Sequence, residues 1–109
     1  DGGFLVAGRY NRIMHNNLVY AENILLDIIG THNLVFNNSV RDGGVGLGME
    51  GGDGFVLLNK FYNNVLQATD EGGDNRWSFN GRGNCWDDYN GEGPYDVIGG
   101  SWDWHPKKC

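Results

Sequence analysis

The chain is predicted to be all-β: a right-handed parallel β-helix, a solenoid of about four to five coils ending in an irregular aromatic cap. Three observations predict it. Asn16, Asn37, Asn59 and Asn80 recur at intervals of 21, 22 and 21 residues, each with Ile13, Leu34, Val56 or Trp77 three positions earlier. Leu5, Leu26, Leu47 and Ala68 form a second file spaced by 21, and Gly3, Ile24, Val45, Leu66 and Ala7, Ile28, Met49, Asp70 share its frame. Gly8, Gly30, Gly52 and Gly73 close the units at intervals of 22, 22 and 21. A fixed period outranks local propensity, because it means that one small unit is stacked on itself.

Each unit divides into short strands and bends. Ile13 to His15 alternate as a strand ended by Asn16-Asn17, Leu18 to Tyr20 continue, and Ile24, Leu26 and Ile28 share one face of a third strand. Gly30 turns the chain into a second unit built on Leu34, Phe36, Val40, Val45, Leu47 and Met49. Asparagine and glycine accept left-handed backbone and therefore mark corners. Stacked asparagines also pair their amides along the stacking axis, which assigns Asn16, Asn37, Asn59 and Asn80 to a structural ladder. No unit holds a helical pattern for two turns, and Pro94 and Pro106 both lie in the tail, leaving the strand ladders intact. Parallel crossovers are almost always right-handed, which sets the expected hand. Coils are assigned to residues 1–84 and the cap to 85–109.

Composition excludes several classes. Fourteen acidic against eight basic residues give a formal charge of −6, and the basic residues are scattered along the sequence, so nucleic acid is not an expected partner. No apolar run approaches the length of a membrane span. The chain opens on Asp1 without a basic start or signal-like run, and strand-like sequence begins at Phe4, which suggests a mature product or an excised piece. Cys85 and Cys109 form no Cys-x-x-Cys pair; a disulfide between them would close the tail and imply an oxidising compartment.

The tail carries the most specific sequence. It runs Asn75-Arg76-Trp77, Gly83-Asn84-Cys85-Trp86-Asp87-Asp88-Tyr89, Gly93-Pro94-Tyr95, Gly99-Gly100 and Asp103-Trp104-His105-Pro106. With the upstream repeats it resembles the last coils of NosD-like right-handed β-helix proteins, of the carbohydrate-binding and sugar-hydrolase type, over nearly the whole chain. The resemblance implies secreted, periplasmic or cell-surface proteins, some attending copper-enzyme maturation and many without assigned activity. Such proteins often carry an acidic, glycine-rich insert after the tyrosine that suits calcium. Here it is shortened to Asn90-Gly91-Glu92, so no cofactor is expected, with calcium at the truncated loop as the alternative. For copper, His15, His32, His105, Met14 and Met49 share no ligand spacing.

Among side chains with chemistry, His15 reads as a core histidine in the file of Phe36, Leu58 and Phe79. Asp70 reads as the point where the core opens beneath the cap, with a functional carboxylate as the alternative. Asp42, Glu50, Asp53, Glu71 and Asp74 are turn residues that would meet only if corners stack them. The expected outer face of the third strand (Val6, Asp27, Gly48, Thr69 beside Phe4, Leu25, Gly46, Gln67) has one carboxylate and no base, which leans against a polysaccharide lyase or hydrolase. Trp86, Tyr89, Tyr95, Trp102 and Trp104 lie among acidic residues, a pattern that can hold sugar rings by stacking, or can simply plug the last coil. Met14, Val35 and Leu57 are expected to point outward as an apolar ladder, and Asn37-Asn38-Ser39 matches a glycosylation acceptor. The leading expectation is a non-catalytic extracellular module, structural or adhesive, with polysaccharide as a candidate ligand. The alternatives are a self-assembling subunit, partnered by copies of itself or by the rest of a longer β-helix, and an enzyme fragment.

Overall fold

Each coil has three stretches of strand, and stacking the coils gives three parallel walls. The computed structural model describes residues 3–109, so the reading of the opening at Asp1 lies outside the described residues. Wall one contains β2 (Arg12–Met14), β4 (Leu34–Phe36) and β6 (Phe55–Leu57), and Phe55 bridges Arg76 in the next rung. Two long strands, β3 (Asn17–Ile29) and β5 (Ser39–Met49), bend through walls two and three. Wall two continues with β7 (Lys60–Tyr62), β9 (Cys85–Trp86) and β12 (Lys107–Lys108). Wall three starts with β1 (Phe4–Ala7) and continues with β8 (Leu66–Asp70), to which Ile98 adds a last bridge at Thr69. Among the described residues, only the hairpin of β10 (Tyr95–Val97) and β11 (Ser101–Asp103) and the Phe79–Arg82 bridge are antiparallel. The architecture is an all-β parallel solenoid of about five turns, with no helix among the described residues. Wall two runs on past residue 84, because β9 and β12 add rungs to it; the tail does not abandon the repeat there.

The files of the core differ from the predicted ones by single residues. Ile13 pairs with Val35 and Val35 with Val56, so Val35, not Leu34, fills the lumen above Trp77. The outward apolar ladder is consequently Met14, Phe36 and Leu57. Phe4 pairs with Leu26 and Val6 with Ile28, which moves Gly3, Leu5 and Ala7 one place out of their expected files. The bend glycines stack as Gly8, Gly30, Gly51 and Gly72, not through Gly52 and Gly73. A Cβ on Gly51 would lie 1.4 Å from the carbonyl oxygen of Gly30, so only glycine fits. The reason is a period that is 22 in the first coil and 21 in the next, which a fixed spacing cannot follow. Leu25 and Gln67, expected outside, are buried: Leu25 sits against Gly43, and Gln67 bonds to Asn64, Asp87 and Asp88.

A ladder of asparagines holds the corner between walls one and two, and its members are Asn16, Asn38, Asn59 and Asn84. In each step the side-chain oxygen accepts both the backbone N–H and the amide of the preceding member, at 2.8–3.0 Å. The amide nitrogens of Asn38, Asn59 and Asn84 donate to the carbonyls of Ile13, Val35 and Val56. Asn37 and Asn80 are therefore not rungs. They occupy the preceding left-handed position, shared by His15 (φ 59°), Asn37 (59°), Leu58 (58°) and Asn80 (58°). His15 is accordingly exposed, not a core residue, and its Nδ1 lies 3.0 Å from Asn37 Nδ2. Asn80 and Gly81, both with positive φ, turn the small hairpin between Phe79 and Arg82. That hairpin stretches the ladder step from Asn59 to Asn84 to 25 residues.

The two asparagine classes differ in what they support. Asn59→Ala strands the buried Asn38 N–H and the Val35 carbonyl and is expected to cost about 3 kcal/mol. Asn37→Gly, which keeps the left-handed corner, should cost only a few tenths of a kcal/mol. Urea unfolding of both variants checks the contrast, and equal losses would mean that the ladder is not what holds the corner.

Candidate functional site

The last coil closes around two buried carboxylates, each bound by a tryptophan. Asp103, fully buried in β11, takes the fifth place in the asparagine ladder. Its Oδ2 accepts the Asn84 N–H at 2.7 Å and Trp86 Nε1 at 2.9 Å, and its Oδ1 accepts the His105 N–H at 2.9 Å. An aspartate suits this end because the ladder needs an acceptor there. Asp70 ends the file of Val6, Ile28 and Met49 and is 1% exposed. It accepts from Trp77 Nε1, Asn75 Nδ2, Ser101 Oγ and the Gly73 N–H. Burial alone would raise its carboxyl, but the bonds from Ser101, Trp77, Asn75 and Gly73 outweigh burial and hold it below its ordinary value. With this many donors, Asp70 is a structural anchor.

The five aromatic residues of the tail divide into two groups. Trp86 is fully buried between Phe61 and Tyr95, with ring centroids at 4.5 and 4.0 Å and nearly parallel planes. Tyr95 donates its hydroxyl to Asp88, and Tyr89 donates to the Gly93 carbonyl. Burial first, then the bond to Asp88 and the charges of Asp88, Asp87 and Asp96, push the Tyr95 phenol well above its ordinary value. These three rings plug the coil. Trp102 and Trp104 instead stay 43% and 62% exposed, their rings 6.1 Å apart and tilted by 37°. Trp102 is the cross-strand partner of Asp96, which places indole and carboxylate side by side on one hairpin face. Asp87 and Asp88 are taken up by Asn63, Gln67 and Tyr95, leaving Asp96 as the exposed acid of this face.

Cys85 and Cys109 are joined by a disulfide. The bridge fixes the end of β12 against β9 across a separation of 24 residues. Loop closure of that size contributes about 3 kcal/mol by the chain-entropy argument.

One carboxyl pair lies outside the cap. Asp27 belongs to the outer file Leu5, Asp27, Gly48, Thr69, in which Leu5 stands where Val6 was expected. Glu50 shares a hydrogen bond with Asp27, and that bond, then the Asp27 charge and slight desolvation, raises the Glu50 carboxyl above its ordinary 4.5. Asp27 Oδ1 is buried and accepts no hydrogen bond among the described residues.

A parallel β-solenoid with an aromatic plug and a disulfide-tied last rung defines the class: a β-helix domain whose disulfide is consistent with an extracytoplasmic location. Within it, the chain belongs to the NosD family, whose model, described as periplasmic copper-binding protein (NosD), matches residues 1–91. Neither the curated proteins nor the solved structures gave a match. The family description implies copper, and the side chains do not fit it. No three of His, Cys, Asp and Glu come together among the described residues. Both cysteines are spent in the disulfide, Met49 is sealed in the core, and His32 stacks on Tyr10.

The Glu50–Asp27 pair gives a pH signature. Because the folded Glu50 carboxyl is raised, its contribution is present below 4.5 and is lost as pH rises through the folded value. Glu50→Gln is therefore expected to raise the melting temperature at neutral pH, with the gain fading as pH falls through the raised folded value and gone below 4.5. Thermal melts of parent and variant across pH check it; a gain independent of pH would contradict the pairing.

Proposed function

We propose that this chain is a non-catalytic, extracytoplasmic module that holds carbohydrate on the exposed tryptophan face of its cap. The observation that carries the reading is the pair Trp102 and Trp104, exposed beside Asp96 while the neighbouring rings are packed away. Indole faces stack on the apolar side of sugar rings, and a carboxylate accepts hydroxyl protons beside them. The disulfide and the periplasmic description of the family support placement outside the cytoplasm. The structural use of Asp70 and Asp103 favours binding over hydrolysis.

A second reading, assembly through the first coil, rests on its own observation. Among the described residues β1 pairs on one side only, and Phe4 and Leu5 in it are 56% and 65% exposed. An edge of this kind accepts a further strand from a copy of the chain or from a longer solenoid.

On a glycan array, Trp102→Ala and Trp104→Ala should abolish the parent's signal while shifting the melting temperature little. Trp86→Ala should instead destabilise the fold by about 3–5 kcal/mol. An unchanged array signal in both exposed-tryptophan variants would end the carbohydrate reading at this face. Sedimentation velocity of the parent tests the second reading: concentration-dependent association supports it, and a monomer at all concentrations removes it.

A further inference from the structure

Half of the eight basic residues (Lys60, Arg82, Lys107 and Lys108) are brought by the coils to a single cavity of about 330 Å³, together with His105. In the sequence they are scattered; the register gathers them. Down the outer face of wall two the stacked file is Asn17, Ser39, Lys60, Cys85 and Lys107. Lys60 and Lys107 are thus two rungs apart, roughly 9–10 Å, on either side of the disulfide. The Phe79–Arg82 hairpin forms another side of the cavity and supplies Arg82. Lys108 is turned away, donating to the carbonyls of Asp87 and Tyr89.

A second cavity of about 320 Å³ shares Lys60 and continues along the same corner, past Ser39, Asn37, Asn17 and His15. No carboxylate lines either cavity, although the chain has 14 acidic residues. Among the described residues the one ion pair is Arg41–Asp42, so Lys60, Arg82 and Lys107 have no carboxylate within 4.0 Å. Gathering unneutralised cations in an acidic protein focuses a positive potential on this trough. Leu58 adds an independent mark. It lines the first cavity and holds φ 58°, a conformation that costs a bulky side chain on the order of 1 kcal/mol. His15, Asn37 and Asn80 occupy the equivalent corners. At Leu58 an apolar residue occupies the corner against backbone preference.

We infer that the trough along the corner of walls one and two binds an acidic oligosaccharide, a sugar chain bearing carboxylates or sulfates. Lys60, Arg82 and Lys107 meet the anionic groups about two sugar units apart, Leu58 meets the apolar face of a ring, and Ser39, Asn37 and Asn17 meet hydroxyls. Single-stranded nucleic acid fits less well, because no Phe, Tyr or Trp lines either cavity to stack a base. The site is separate from the tryptophan face and does not rest on it.

The test is calorimetric titration of the whole chain with an oligogalacturonate, a sulfated oligosaccharide, a neutral oligosaccharide of equal length and an oligothymidylate, at low and physiological salt. The expected result is binding of one or both acidic sugars that weakens with salt, and little binding of the neutral one. Lys60→Glu with Lys107→Glu should lower that affinity at least about tenfold, whereas Trp102→Ala leaves it unchanged. Both lysines are exposed strand residues, and Lys60→Gln and Lys107→Gln serve if charge reversal disturbs folding. Equal affinity for neutral and acidic sugars, preference for the oligothymidylate, no binding of either acidic sugar, or insensitivity to the lysine changes would overturn the proposal.

Discussion

Every coil of this solenoid must turn a tight corner between walls one and two, and there the strand ladders cannot satisfy the backbone. One amide side chain per rung solves that problem. An asparagine has one acceptor and two donor protons on a short stem, so it can accept from the rung before it and return a bond to a backbone carbonyl in the lumen. Asn38, Asn59 and Asn84 all do so, and because each is bonded to the next, the corner is a continuous polar chain inside an apolar tube. Left half satisfied, such a chain would cost more than an apolar core. Its end is therefore as important as its body, and Asp103 provides the end with a pure acceptor that also binds Trp86.

The same constraint explains the cap. With no further asparagine to receive, the last rung must bring a carboxylate into the interior, and a buried carboxylate needs several donors. Asp103 and Asp70 each find one in an indole, so the two large rings Trp77 and Trp86 serve both as plug and as hydrogen-bond partners. The disulfide then holds β12 in register beside β9, closing a rung only two residues wide that backbone pairing alone would hold weakly.

The architecture was legible because stacking writes its period into the sequence, and even a register error of one residue leaves that period visible. The files themselves were less legible. Two adjacent asparagines at positions 37 and 38 offer the same letter for opposite jobs, one a left-handed corner and the other a buried rung, and spacing alone selected the wrong one. At position 80 the misreading had a different cause: Asn80-Gly81 is a hairpin dipeptide inside an insertion, and the ladder resumes four residues later at Asn84. The Asn-Gly pair itself was the available signal. Parity failed at Val35 for a related reason, since a coil of 22 residues shifts every side chain by one place relative to a coil of 21.

The cationic trough was invisible in the sequence for a physical reason. Lys60, Arg82 and Lys107 are separated by 22 and 25 positions, one coil or slightly more, so charges that look dispersed are neighbours along the stacking axis. In a solenoid, charge clustering has to be counted by rung, not by local window. The insertion that displaced the ladder is part of the same arrangement: by moving the ladder asparagine to position 84, it frees residues 80 to 83 to leave the corner as a hairpin and carry Arg82 to the cavity. An interruption of the repeat is therefore where this fold departs from pure stacking and acquires a concave, charged surface.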